Sequence, residues 1–171
     1  MLNTLIQLIH LVLISFYSLS FLDINGNVIN CQSFTGKKVL LVNIASNSPK
    51  INQLNGLLQL QQEFKDSLIV VAFPSNSFGN ESKTNEQLKI FLQQNYNLNF
   101  IIAAKTSLIG NDKNPVYEWL GNINSNGIMN ANTGADFVKY LIGKNGKIIG
   151  MFSSKVQPKD STIVQAINTT L

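Results

Sequence analysis

Residues 38–73 read KVLLVNIASNSPKINQLNGLLQLQQEFKDSLIVVAF and contain two apolar runs with a helical pattern between them. The first run, Lys38–Ile44, is rich in β-branched and aliphatic residues, which is typical of a strand covered on both faces. Residues 68–73 form a second such run, which Pro74 ends. A strand, a helix and a strand in this order predict a parallel pair joined by a right-handed crossover. The chain is therefore predicted to be an α/β protein.

The helix between these strands is predicted to begin at Ser48-Pro49, an N-cap residue followed by proline at the first helical position. Apolar residues then recur at helical spacing. They are Ile51, Leu54, Leu57, Leu58, Leu60 and Phe64. Residues 85–96 predict a second amphipathic helix, which Thr84 or Asn85 can cap. Both helices are expected to turn an apolar stripe towards the sheet.

Two Asn-Gly pairs predict β-hairpins, because this dipeptide favours the tight turns that match strand twist. The first, Asn25-Gly26, opens the domain, and the second, Asn145-Gly146, joins residues 137–142 to residues 147–152. A final helix is predicted to begin at Pro158 and to reach about residue 169. Residues 121–134 are rich in Asn and Gly, which indicates a loop.

The composition indicates one globular domain, because 171 residues suit a single core and 44% of them are hydrophobic. The formal charge of +4 comes from lysine alone, since the sequence contains no arginine. Arginine is the residue best suited to bidentate contacts with phosphate and guanine, and the lysines are scattered along the chain. We therefore expect no nucleic-acid partner.

Cys31 is the only cysteine in the sequence, so neither a disulfide framework nor a cysteine metal site can form within one chain. The residue follows the first hairpin and is predicted to be a partly buried structural thiol. Trp119 lies at helical spacing from Pro115 and is predicted to pack in or at the rim of the core. No metal or nucleotide motif occurs, and no cofactor is expected.

Residues 1–14 are almost entirely apolar and uncharged, and two interpretations of them stay open. They form either a hydrophobic targeting leader or an N-terminal helix. The run is too short to span a bilayer as a helix, and it lacks the Lys or Arg that is expected at the start of a signal peptide. The fold is therefore predicted to occupy residues 15–171. A leader would make the protein secreted or envelope-associated, and otherwise it would be cytoplasmic. Any membrane contact is expected through residues 1–14.

Several ordered segments between residues 15 and 158 resemble the glutathione peroxidase family. They include LVNIAS at residues 41–46, FPSNSFG at 73–79, NPVY at 114–117 and FVKYLI at 137–142. The resemblance implies a thioredoxin-like fold in which a central mixed β-sheet is flanked by α-helices and preceded by an N-terminal β-hairpin. It also implies an oxidoreductase that reduces peroxides in the response to oxidative stress.

The resemblance places the family's catalytic positions at Ser48, Ser77, Ala135 and Asp136. The family has a cysteine or selenocysteine where this chain has Ser48, and a glutamine where it has Ser77. A Trp-Asn pair of the family is matched by Ala135-Asp136. The family's positions for further cysteines fall at Ser75 and near Gln93, so no resolving thiol is expected.

These replacements predict a catalytically degenerate member of the family, because a serine hydroxyl cannot pass through the oxidised states of a thiol. The former pocket, which we expect to be lined by Ser48, Ser75, Ser77, Ala135 and Asp136, is then expected to bind a small polar molecule, a thiol or a protein, in a binding or regulatory role. One alternative is an active thiol-dependent peroxidase that uses Cys31. Another is an envelope-associated structural or interaction protein. The short segment between Leu120 and Ala135 implies a monomer, because tetrameric relatives carry a longer insertion there.

Overall fold

A computed structural model describes residues 13–169 of the chain. The predictions for residues 1–12, as a leader or as a helix, lie outside the described residues. Within residues 13–169, no helix is both long enough and apolar enough to cross a bilayer.

Five strands form the central mixed sheet, in the spatial order β5-β4-β3-β6-β7. Their bounds are β3 Lys38–Ile44, β4 Leu68–Pro74, β5 Ile101–Ile102, β6 Lys139–Ile142 and β7 Ile148–Phe152. Strand β4 pairs in parallel with β3, whereas β6 is antiparallel to β3. The predicted parallel crossover and the central position of β3 are therefore confirmed, and every residue of β3 is buried.

Both predicted hairpins are present. The first joins β1, Ser20–Leu22, to β2, Val28–Asn30, in an antiparallel two-stranded sheet. Gly26 lies in its turn with a φ of 85°, a left-handed conformation that glycine adopts without strain. The second hairpin joins β6 to β7 through a turn that contains Gly146.

Five α-helices flank the sheet within the described residues, and the bounds of α2 match its prediction at both ends. The helices are α1 Gln53–Glu63, α2 Asn85–Tyr96, α3 Pro115–Leu120, α4 Ile123–Asn126 and α5 Ser161–Asn168. Thr84 and Gln87 form a reciprocal capping box at the start of α2. The prediction of an irregular loop over residues 121–134 was wrong in part, because α4 lies within it.

The predicted starts of two helices were wrong. Helix α1 begins at Gln53 rather than after Ser48, because residues 48–52 form successive turns before the helical ladder starts. Helix α5 begins at Ser161 rather than at Pro158, since the Asp160 carboxylate accepts a hydrogen bond from the Thr162 amide and caps the helix there. A capping side chain thus fixes the start of α5 better than the proline does.

The sheet separates two core layers. One layer contains Val39 and Leu41 of β3 together with the aromatic residues of the N-terminal segment and α3. The other contains Leu40 and Val42 of β3, and α1 packs on this side through Leu54, among other residues. Successive side chains along β3 point to opposite faces of the sheet, and neighbouring residues therefore belong to different core layers.

Lys38 is a buried charged residue that joins β3 to α5. Its ammonium group donates hydrogen bonds to the carbonyl oxygens of Ala166, Ile167 and Thr169. These carbonyls end α5 and have no partner within the helix, so a lysine there satisfies them and interacts favourably with the helix dipole. The contact anchors the C-terminal helix to the sheet.

Candidate functional site

Three loops meet at the edge of the sheet where β3 and β4 end. The Ser75 amide donates to the Ile44 carbonyl at 3.0 Å and joins the loop after β4 to the end of β3. The Phe137 amide donates to the Asn43 carbonyl at 2.7 Å and adds the segment that leads into β6. The carboxyl ends of adjacent parallel strands are a usual place for binding sites in α/β proteins. All four residues that the resemblance predicts as site positions lie on these loops.

Ser48 lies in the turn between β3 and α1 and is almost fully buried. Its amide donates to the Ala45 carbonyl at 3.2 Å, and its hydroxyl accepts a long hydrogen bond of 3.4 Å from the Lys50 amide. The side chain therefore supports the turn rather than capping α1 itself, because the helix begins at Gln53.

Ser77 and Ser75 contact one another in the loop after β4. The two Oγ atoms are 2.9 Å apart, and the Leu108 amide donates to Ser77 Oγ at 3.0 Å. Ser77 also faces an open pocket of about 360 Å³. The pocket is lined by Asn76, Ser77, Lys105, Thr106, Ser107 and Ile109. Neither Ser48 nor Asp136 is among these residues, so this pocket differs from the one predicted around all the former catalytic positions.

Asp136 is a buried carboxylate, with 4% of its surface exposed. Its Oδ2 accepts a hydrogen bond of 2.6 Å from the Asn80 side-chain amide, and Oδ1 is buried without a hydrogen-bond partner among the described residues. The Asn80 carbonyl accepts a hydrogen bond from the Asn47 amide at 3.0 Å. Asn80 therefore connects the loop of Ser48 with the loop of Asp136.

Ala135 contributes backbone contacts to the site. Its carbonyl accepts a hydrogen bond of 2.9 Å from the Asn43 side-chain amide, and Asn43 Oδ1 accepts from the Val138 amide at 3.0 Å. Between them, Phe137 is buried with a φ of 64°, in a left-handed conformation that is strained for an aromatic residue. Asn43 thus fixes the backbone on both sides of a strained residue.

Glu81 is a fully buried carboxylate that the sequence did not reveal as part of this edge. Its oxygens accept hydrogen bonds from the Ser46 amide at 2.7 Å, the Ser46 hydroxyl at 2.9 Å and the Lys83 amide at 3.0 Å. The Lys83 ammonium group also donates to the Ser46 hydroxyl at 2.9 Å. The network holds the loops after β3 and β4 against each other.

Lys139 is a second buried ionisable residue that the sequence did not reveal. Its ammonium group donates to the carbonyls of Phe137 at 2.9 Å and Val156 at 2.7 Å. Burial, together with the nearby positive charge of Lys50, lowers the pKa of Lys139 to about 8. The strained backbone at Phe137 is therefore held partly by a buried amine.

The structure brings some of the predicted site residues together and leaves others apart. Ser75 touches Ser77, and Asp136 is connected to the loop of Ser48 through Asn80. Among residues 13–169, no hydrogen bond joins Ser48 to Ser77 or to Asp136. Ser48, Ser77 and Asp136 therefore lie at one edge of the sheet without direct hydrogen bonds from Ser48 to the other two.

Cys31 lies in the core layer that faces away from α1. It is fully buried among aromatic residues, which include Phe16 and Phe21. Burial raises the pKa of the Cys31 thiol to about 12, so the thiol is protonated at neutral pH. The prediction of a structural thiol is confirmed in its burial. Trp119 is also buried, and its indole nitrogen donates to the Ile14 carbonyl at 2.7 Å.

Comparison with known proteins now decides the family. The glutathione peroxidase family profile matches residues 16–121, which is more than half of the chain. The chain belongs to the glutathione peroxidase family.

Curated relatives from the family extend this match over most of the chain. The glutathione peroxidase-like peroxiredoxin GPX5 of Chlamydomonas reinhardtii is 34% identical over 145 residues, which are 84% of this chain and 89% of the relative. A glutathione peroxidase of Lactococcus lactis is 30% identical and covers 85% of this chain and 94% of the relative. The family resemblance that the motifs predicted is therefore confirmed.

Solved structures confirm the thioredoxin-like fold. The crystal structure of Trgpx in its apo form matches with a TM-score of 0.69 at 29% identity and covers 91% of this chain and 96% of that chain. A thioredoxin-family thiol:disulfide interchange protein from Chlorobium tepidum matches with a TM-score of 0.65 at 12% identity, over 91% of this chain and 97% of the other. At such low identity the second likeness concerns the fold alone.

Proposed function

We propose that this member of the glutathione peroxidase family does not reduce peroxides by the family's chemistry and has a binding or regulatory role. One observation carries the proposal. The position that the resemblance assigns to the catalytic chalcogen is Ser48, while the only thiol, Cys31, is buried in the core layer opposite α1. The function therefore has to be performed without an accessible thiol.

The required chemistry explains why Ser48 cannot replace a cysteine. In thiol-dependent peroxide reduction, a thiolate attacks the O–O bond, becomes a sulfenic acid and is returned to the thiol by a reductant. A serine oxygen has no corresponding reversible oxidised state, and its hydroxyl stays protonated at neutral pH unless a strong base lies beside it. The hydrogen bond from the Lys50 amide gives Ser48 a role in the turn instead.

The relatives of this chain favour a second candidate, an active thiol-dependent peroxidase. Glutathione peroxidase-like peroxiredoxins of Chlamydomonas reinhardtii and Schizosaccharomyces pombe are 34% and 35% identical to this chain. Here such an activity would have to use Cys31. Its burial and a pKa of about 12 disfavour the reactive thiolate, because peroxide attack needs both access and a deprotonated sulfur.

Oxidation of Cys31 separates the two candidates. We expect the native protein to keep an unmodified Cys31 during brief incubation with excess hydrogen peroxide, as measured by mass spectrometry with a sulfenic-acid trap. The same chain unfolded in urea is the control, in which the exposed thiol becomes oxidised. Rapid trapping of a sulfenic acid at Cys31 in the native protein would favour the peroxidase candidate.

The binding role is proposed for the pocket beside Ser77. This pocket has hydroxyl and amide side chains and the cation of Lys105 along its wall, which suits a small polar ligand with a negative group. The Lys105 ammonium group donates to the Lys83 carbonyl at 2.6 Å, so the cation is held close to the site edge. Reduced glutathione, a small polar thiol with carboxylates, is a suitable probe.

Calorimetric titration with reduced glutathione tests this role. We expect binding without oxidation of the thiol, and about three- to fivefold weaker binding by Lys105→Met, since a partly exposed ion pair contributes up to about 1 kcal/mol. Lys155→Met removes an exposed lysine that does not line the pocket and is the matched control. Equal affinities of Lys105→Met and the unaltered protein, or no binding at millimolar glutathione, would contradict a site in this pocket.

A further inference from the structure

A second cavity, of about 180 Å³, lies where three parts of the chain meet, and we call it the α3 cavity. Residues 108–113 of the loop after β5 form one wall, Tyr117 and Gly121 at α3 form another, and residues 131–133 form the third. Of the residues that line it, only Ile109 also lines the larger pocket described above. The α3 cavity is therefore a separate site.

Hydrogen bonds between the walls hold the α3 cavity open. The Asn114 amide donates to the Ser107 carbonyl at 2.9 Å, and the Ser107 hydroxyl donates to the Ile109 carbonyl at 2.7 Å. The Ala131 amide donates to the Leu120 carbonyl at 3.0 Å and fastens the third wall to α3. The cavity is thus formed by the fold itself, and a ligand would not have to order a loop to enter it.

The hydroxyl group of Tyr117 is buried without a hydrogen-bond partner among the described residues. The residue lines the α3 cavity, and 3% of its surface is exposed. Its neighbour Tyr140 is also buried but has a partner, since its hydroxyl lies 2.6 Å from that of Thr133, another residue of the cavity wall. Burial, together with Tyr140, raises the pKa of Tyr117 well above 10, so the phenol remains a proton donor. A buried phenol normally finds an acceptor.

Lys113 supplies a positive charge to the same cavity. Its side chain is half-buried, and within residues 13–169 it takes part in no ion pair. The lining residues include neither Asp nor Glu, and the adjacent Asp112 is exposed and lies outside the lining. Because no carboxylate of the described chain lies within ion-pairing distance of this ammonium group, the cavity attracts anions.

We propose that the α3 cavity binds a compact oxyanion, a carboxylate or phosphate group, through the Lys113 ammonium group and the Tyr117 hydroxyl. Both groups are donors, so the ligand has to present acceptor oxygens, and a charged acceptor forms the stronger hydrogen bonds. The volume equals that of about six waters at about 30 Å³ each, which suits acetate, phosphate or the end group of a slightly larger molecule. The proposal does not depend on the function proposed for the pocket beside Ser77.

Titration of the full chain with acetate and with inorganic phosphate, followed by NMR of its backbone amides, tests the site. We expect saturable shifts at Gly110 and Gly121 in the millimolar range. The stronger of the two probes shows whether the site prefers a carboxylate or a phosphate group. Acetamide has nearly the shape of acetate without its charge, and it should bind at least tenfold more weakly.

Two variants separate the contributions of the two donors. Tyr117→Phe keeps the ring and should bind the preferred anion about tenfold more weakly, the effect of losing one hydrogen bond to a charged group. Without the anion its melting temperature should equal or exceed that of the unaltered protein, because an unpaired hydroxyl has been removed. Lys113→Met should bind about three- to fivefold more weakly. The matched control, Lys105→Met, changes a lysine of the neighbouring pocket and should bind the anion normally.

Several results would overturn the proposal. They are the absence of saturable shifts with both anions, equal binding of acetamide and acetate, or unchanged affinity in both Tyr117→Phe and Lys113→Met. A melting temperature several degrees lower in Tyr117→Phe without the anion would show that the hydroxyl already has a partner, such as an ordered water. Weaker binding by Lys105→Met alone would place the anion in the pocket beside Ser77 instead.

Discussion

Replacing Glu81 with alanine is expected to lower the free energy of unfolding by about 3 to 5 kcal/mol, because several buried donors then lose a charged hydrogen-bond acceptor. The carboxylate accepts three hydrogen bonds from Ser46 and Lys83 and is fully buried. Its removal leaves the Ser46 amide, the Ser46 hydroxyl and the Lys83 amide without their acceptor. Chemical denaturation of both proteins measures the difference.

The matched control for this substitution is Glu86→Ala. Glu86 is an exposed carboxylate in the first turn of α2, where its interaction with the helix dipole contributes about 0.3 to 1 kcal/mol. A loss at Glu81 no larger than the loss at Glu86 would show that the network does not hold the two loops together.

Lys139 is expected to make the stability of the protein rise with pH. The pKa of its amine is lowered from 10.5 to about 8 in the folded protein, so the unfolded chain binds this proton more tightly. Between pH 8 and 10.5 the unfolded state therefore holds more protons, and raising the pH favours the folded state. Below pH 8 the cost of burying the charge is present in full. The gain over this window is at most about 3 kcal/mol.

The comparison of the unaltered protein with Lys139→Met isolates this contribution. Both proteins share the other groups that titrate at alkaline pH, including Lys38, whose pKa burial also lowers. Urea denaturation from pH 7 to 10.5 measures both unfolding free energies. As the pH rises, the unfolding free energy of the unaltered protein should increase relative to that of Lys139→Met. If the unfolding free energies of the two proteins change with pH in parallel, the result would contradict a buried amine that titrates near pH 8.

Strands β3 and β4 and both hairpins could be predicted from the sequence because their signals are local, whereas the two-residue strand β5 was not predicted. The aliphatic run of Lys38–Ile44 and the Asn-Gly pairs specify burial and turn type within a few residues. The start of α1 could not be predicted in this way. Ser48-Pro49 satisfies the rules for a helix start, yet the chain forms turns there because three loops have to meet at the end of β3. At this point tertiary contacts outweigh local preference.

The candidate site could likewise be predicted only in part from the sequence. Motif order located Ser48, Ser77 and Asp136, but the roles of Glu81 and Lys139 depend on contacts between distant segments. An acidic residue in a loop is usually exposed, and the burial of Glu81 depends on hydrogen bonds from the Ser46 groups, 35 residues away, which the local sequence does not reveal. Lys139 is the first residue of β6 and interrupts the apolar run of residues 137–142, and this interruption is the one signal in the sequence that could have revealed it.

Steady-state hydroperoxide consumption by the pure full chain tests the central proposal most directly. With a thioredoxin- or glutathione-based reducing system, the account predicts a rate equal to that of heat-inactivated protein, and the same rate for Cys31→Ser. Efficient turnover that is abolished in Cys31→Ser, or that persists in this variant without any thiol in the chain, would contradict it.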